Sequence, residues 1–161
     1  MHFEGQQAIN APIATVFAFL TDPQQVASCT PGFTSMEVIS PEHFKPTVAV
    51  GVGAVKAKFT LDVTLEDLRP PNHAVAAARG TAAGSAAELR GAMDLSETAP
   101  SVTDMRWNVD VNVMGTLANV GARLLESTVV SVIMAPWRTT WWAVSVKLAG
   151  NRGIAAASQS A

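Results

Sequence analysis

Hydrophobic and polar residues alternate in two different rhythms along this chain. From Phe3 to Ile9 the period is two, weakly, through Phe3, Gly5, Gln7 and Ile9, which predicts a first strand. The period then lengthens. Asn10 is a candidate N-cap, Pro12 suits a first helical turn, and Ile13, Val16, Phe17 and Leu20 fall at i, i+3, i+4 and i+7. That stripe predicts a helix closed by TDP at residues 21–23, followed by a short second helix over PQQVASC and a stop at TPG, residues 30–32.

Beyond Gly32 the period returns to two. Strands are expected over Phe33–Ile39, Thr47–Val52, Lys56–Glu66, Val75–Arg79, Glu88–Leu95 and Val102–Val113, with turns at SPEH, RPPN and TAPS. In the clearest of them Phe59, Leu61, Val63 and Leu65 face one way, and Lys58, Thr60, Asp62 and Thr64 the other. Successive strands with one apolar face predict an antiparallel sheet covered on one side. GTLANVGARLLEST predicts the cover, a helix with Leu117, Val120, Gly121, Leu124 and Leu125 along one side and Thr116 near its start. The order of elements predicts an α+β domain whose curved antiparallel sheet grips a long C-terminal helix. The domain should span residues 1–135, with a Trp-rich apolar segment over 136–149 and a flexible tail over 150–161.

One stretch departs from ordinary core composition. HAVAAARGTAAGSAAELRGAM is nearly all small residues. Small side chains under a covering helix do not fill space, so either the helix sits very close or a cavity remains, unless the stretch is a loose edge of the sheet.

Composition narrows the function classes. With 161 residues, 48% hydrophobic, and a net charge of −2, the chain suits one domain with a real core and gives no electrostatic reason to expect a nucleic-acid partner. Cys29 stands alone and precludes an internal disulfide, which fits a reducing compartment. The first residues lack the basic and apolar regions of a signal peptide, and VVSVIMAPWRTTWWAVSV is interrupted by Pro136 and Arg138 before reaching a membrane-spanning length.

Candidate chemistry is sparse. Gly51 and Gly53 precede Lys56 and hint at a phosphate loop. A phosphate loop, however, feeds a helix N-terminus, and here the pattern continues with period two. A tight hairpin or bulge is the better reading, with Lys56 and Lys58 solvated. His2, His43 and His73 lack metal-ligand spacing and read as surface residues. Cys29 has no basic neighbour and reads as a buried structural thiol. Arg79 is either a surface residue or, if inward, a donor to a ligand carbonyl.

Several local patterns together resemble the CoxG-like family, named for the G subunit of carbon monoxide dehydrogenase. They are Ile9, Ala11 and Pro12; Phe17; Leu20, Asp22 and Pro23; then Cys29, Pro31 and Gly32. VGAVKAKF is similar to a further family motif, with Ala54 where proline is common, and the double-proline turn, glycine-rich strand pair and final helix follow in order. The resemblance covers about residues 2–128. It implies a helix-grip, START-like fold of the SRPBCC superfamily. It also implies an accessory protein, not an enzyme, that recruits a molybdenum hydroxylase of carbon monoxide dehydrogenase type. The place would be the inner face of the cytoplasmic membrane, with cytoplasmic localisation and peripheral membrane contact. The most concrete role is to hold a quinone, menaquinone or ubiquinone, or another apolar molecule, for the respiratory chain.

The expected ligand-binding set is Phe59, Leu61, Val63, Met93, Leu95, Trp107, Val109, Leu117, Val120, Gly121 and Leu124. Each is ordinary core taken singly; together they suit an apolar pocket. Two other readings stay open: a cyclase- or hydrolase-like enzyme, which needs converging ionisable groups, and an assembly factor with no ligand. After Thr128 the chain departs from the family pattern, with Trp137, Trp141 and Trp142 beside Arg138 and Lys147. This segment reads as a membrane contact, as core or edge strand, or as an atypical end.

Overall fold

A computed structural model describes residues 1–131. The tail segments read above as 136–149 and 150–161 lie outside the described residues. Strand β1 (His2–Ile9) leads into helices α1 (Ile13–Leu20) and α2 (Pro23–Cys29). Six strands follow: β2 (Phe33–Ser40), β3 (His43–Val52), β4 (Val55–Arg69), β5 (His73–Ala82), β6 (Ser85–Ala99) and β7 (Val102–Gly115). A 3-10 turn (Thr116–Asn119) and helix α3, described over residues 122–131, complete the order.

All seven strands form one antiparallel sheet in the order β1-β7-β6-β5-β4-β3-β2. β2 to β7 are neighbours in sequence and in space, joined by short turns. β1 closes against β7, so α1 and α2 carry the chain from one edge of the sheet to the other. β5 is the fourth strand of seven. The alanine-rich stretch is therefore the centre of the sheet, and the loose-edge alternative falls away.

The expected elements are present but longer. β3 begins at His43, so the SPEH turn shrinks to Pro41 and Glu42. Pro46 disguised that strand: it sits opposite Met36, and the β3–β4 ladder passes from Phe44↔Val63 to Thr47↔Thr60 without pairing Lys45 or Pro46. A proline has no N–H for the ladder, yet the neighbouring bonds hold the strand. Gly53 and Ala54 form the two-residue turn between Val52 and Val55, with Gly53 at φ +62°. Glycine at the first central position of such a hairpin is the expected turn chemistry, which explains the glycines without a nucleotide.

Three local expectations are corrected. Asn10 does not cap α1; Pro12 occupies that position with no side-chain cap. The entry is fixed from elsewhere: Ala11 N–H bonds the Ile9 carbonyl, and the buried Thr103 hydroxyl donates to the Ala11 carbonyl at 2.7 Å. Thr116 does not open the last helix either: it begins a 3-10 turn preceded by Gly115, and Ser85 Oγ accepts from the Leu117 N–H at 3.1 Å. Finally, GTLANVGARLLEST is not one helix. Gly121 adopts φ +106°, which a right-handed helix of L-residues cannot pass through, so the 3-10 turn and α3 are separate pieces.

Two buried clusters hold the inner face. The larger joins α1 to β1, β6 and β7 through residues such as Ile9, Val16, Phe17, Leu95 and Met105. The smaller lies at the other end, where Val52, Phe59 and Ala87 pack against Leu117 and Leu125. Burial of this apolar surface is the main stabilising term.

Candidate functional site

Between the clusters lies an apolar cavity of about 320 Å³. Its floor is the sheet's inner face. β3 contributes Phe44, Pro46 and Val48; β4 contributes Leu61, Val63 and Leu65; β5 contributes Ala74, Ala76 and Ala78. Leu89, Gly91 and Met93 of β6 and Trp107 and Val109 of β7 continue the floor. The α1–α2 junction, from Leu20 to Pro23, Val26 and Ala27 of α2, and Thr30 just past its end form the opposite wall, and Phe33 and Met36 of edge strand β2 flank it.

The centre is roomy because its residues are small. Ala76 pairs with Gly91 and Ala78 with Leu89 in the middle of the sheet. A β-carbon at Gly91 would meet the Asn108 carbonyl oxygen at 3.4 Å and Val109 at 3.5 Å, ordinary contacts, so no neighbour has moved into the space that glycine leaves. Gly80 and Gly5 behave differently. A β-carbon at Gly80 would overlap Leu61 Cδ2, and one at Gly5 would lie 2.6 Å from the Trp107 ring. Those two vacancies are occupied by the large neighbours.

The polar groups of the wall are mostly spent locally. Thr21 Oγ1 donates to the Phe17 carbonyl at 2.7 Å, and Thr30 Oγ1 to that of Val26 at 2.9 Å. Asp22 caps α2, accepting from the Gln24 N–H at 2.9 Å. Asp22 is the only ionisable residue among the described residues lining the cavity.

The expected ligand-binding residues divide. Leu61, Val63, Met93, Trp107 and Val109 line the cavity. Leu95 belongs to the cluster under α1, and Phe59 and Leu117 to the smaller cluster, with Val120 packed beside it. Leu124 does not face the cavity: it is 42% exposed and sits over the Gly53 turn. Gly121 is not where a helix approaches the sheet; a β-carbon there would meet nothing within 4 Å. Both differences follow from the break at Gly121: the expected stripe does not continue through it, and of its last two leucines Leu125 is buried while Leu124 is not. The sequence reading missed the α1–α2 wall and the β3 floor, because only the sheet's curvature brings residues so distant in sequence together. The alanine-rich stretch was the signal for the rest.

Other candidates lie outside the cavity. Arg79 is on the outer face, 2.7 Å from Glu88. Lys56 and Lys58 are exposed. His2, His43 and His73 each stand 2.7 Å from an aspartate on a neighbouring strand: Asp110, Asp62 and Asp94. The hydrogen bond that Asp110 accepts raises the His2 pKa above 6.5, and the bond to His43 lowers that of Asp62. No group of three or more metal-ligating side chains occurs among the described residues. Cys29 is partly, not fully, buried, against the larger cluster.

Similarity to known proteins bears on this geometry. Residues 5–138 match the family model for the G subunit of carbon monoxide dehydrogenase (CoxG). The chain belongs to the CoxG family. The match runs past Thr128, where the recognisable motifs end. None of the curated proteins shows detectable sequence similarity to it. Among solved structures, a conserved protein from Geobacillus kaustophilus superposes with a TM-score of 0.83 at 22% identity, over 90% of this chain and 95% of that one. A START superfamily protein from Mycobacterium smegmatis gives 0.67 at 9% identity, over 89% and 97%. The Zhui aromatase/cyclase from Streptomyces sp. R1128 gives 0.61 at 17% identity, over 98% of both chains. At such identities the likeness shows the fold alone, and that fold is a START-like helix-grip. No helix among the described residues is long and apolar enough to cross a membrane.

Proposed function

We propose that this CoxG-family protein is a non-catalytic carrier of an apolar ligand, a quinone (menaquinone or ubiquinone) or another lipid. Its partner in this reading is a molybdenum hydroxylase of carbon monoxide dehydrogenase type. It recruits that enzyme to the inner face of the cytoplasmic membrane, where a quinone accepting electrons couples the enzyme to the respiratory chain. The family name supports the partner. The observation that carries the ligand is the apolar cavity of about 320 Å³ at the centre of the sheet.

The chemistry of the lining favours an apolar occupant. Water is a poor filler, because the lining offers few polar partners. The volume lies at the small end for small-molecule sites, about 300–1,000 Å³. It suits a ring system with the first part of a tail, not an entire polyprenyl chain.

An enzymatic reading is the weaker one. The aromatase/cyclase shares the fold, but acid–base chemistry needs converging ionisable groups, and Asp22 stands alone in the described lining. The test is solvent extraction of the purified protein followed by mass spectrometry. A quinone or lipid in near-equimolar amount is expected. A blank extract, together with no uptake of added menaquinone, overturns the proposal; a blank with retained capture of the dehydrogenase points instead to a ligand-free assembly factor.

A further inference from the structure

We infer that the site selects for uncharged ligands, and that Asp22 at the α1–α2 wall is the residue that rejects anionic amphiphiles such as fatty acids. This rests on the cavity reading proposed above. Charge is distributed unevenly over the molecule. Between Glu4 and Glu37, Asp22 is the only charged residue, so the segment carrying α1, α2 and the start of β2 presents a single negative group. No described lysine or arginine lines the cavity. Lys45, on the strand that supplies Phe44 and Pro46, turns to the opposite face and lies 3.6 Å from Asp62. Arg79 and Arg90, on the strands that form the small-residue floor, are each 2.7 Å from a glutamate on the outer face.

A carboxylate or phosphate head therefore finds no cation inside. Buried without a partner it would be strongly disfavoured, and held at the α2 side it would lie near Asp22, one of the lining residues. A quinone carbonyl or an alcohol carries no such penalty. Asp22 itself is fixed in place by the Gln24 N–H. Asparagine and serine cap helices about as well as aspartate, so the charge can be removed while the cap is kept.

The experiment uses the full chain and a neutral fluorescent probe of apolar cavities, N-phenyl-1-naphthylamine, at pH 8. Dodecanol and dodecanoate, equal in chain length, are titrated as competitors. Dodecanol should displace the probe at about tenfold lower concentration than dodecanoate, an interaction the size of one partly screened like-charge contact. Asp22→Asn should narrow the gap to about threefold, what remains being the cost of burying a carboxylate beside no cation, and Asp22→Ser should do the same. Equal displacement by acid and alcohol in the natural protein overturns the inference and leaves the cavity reading standing. So does a gap that persists undiminished in both variants. Failure of the probe to bind at all overturns the cavity reading and this inference with it.

Discussion

β7 and β5 belong to the same sheet and present the same inner face, yet they fill it differently. β7 puts Met105, Trp107, Val109 and Val111 inward, all buried. β5 puts Ala74, Ala76, Ala78 and Gly80 along its inner side. Backbone geometry is shared, so the difference between packed core and open cavity is one of side-chain volume. Glycine makes the same point twice over. At Gly5 the absent side chain is replaced by the Trp107 ring, and at Gly80 by Leu61, whereas beside Gly91 the space stays open. The cavity is a subtraction of side chains from an otherwise ordinary sheet core.

The sharpest way to break the contrast is to give the small-residue floor a large side chain. Gly91→Leu should reduce binding of an apolar ligand by about a hundredfold while leaving thermal stability unchanged or raised, since it fills a void without forcing the backbone. Ligand titration and a melting curve on the same sample check this; undiminished binding would place the ligand elsewhere. The reverse change at the packed end should act on stability. Met105, 0% exposed, is fully enclosed, and Met105→Ala should cost about 2–5 kcal/mol in urea unfolding, with binding by the folded fraction retained.

A smaller effect is expected where the packed end meets the helices. Thr103→Val removes the hydroxyl that bonds the Ala11 carbonyl and should cost about 1–3 kcal/mol by leaving a buried acceptor unsatisfied. Amide hydrogen exchange should show the loss first at the start of α1.

The outer face should yield the smallest change. His2 has its pKa raised by the hydrogen bond to Asp110, so the pair's contribution is full below pH 6.5 and disappears as pH rises through the higher folded value. Both side chains are exposed, so melting curves should barely register it. Proton NMR should place the His2 midpoint above 6.5, and Asp110→Asn should bring it down; a midpoint unchanged by the substitution would mean that the pair does not form in solution.

Much of this was legible in the chain. Period-two alternation in Lys56–Glu66 and Val102–Val113 fixed both strand type and inward face, because a strand's side chains alternate whatever lies opposite. The Ile13–Leu20 stripe located α1 in the same way. The alanine-rich stretch announced missing volume, and the family motifs named the fold. Periodicity put Leu61 and Val63 on one face of their strand, and with Met93, Trp107 and Val109 they line the cavity.

What only the tertiary structure decided was where that missing volume went and what enclosed it. Whether small residues lie at an edge or at the centre depends on strand order, which local pattern does not encode. Phe44, Pro46 and the α1–α2 junction reach the cavity only because α1 and α2 cross from β1 to β2 over a curved sheet. Gly121 looked like a helix position because a glycine fits any local pattern; its φ of +106° belongs to the folded chain and shifts Leu124 out of the site. Sequence set the size and polarity of each side chain, and the fold chose which of them share a space.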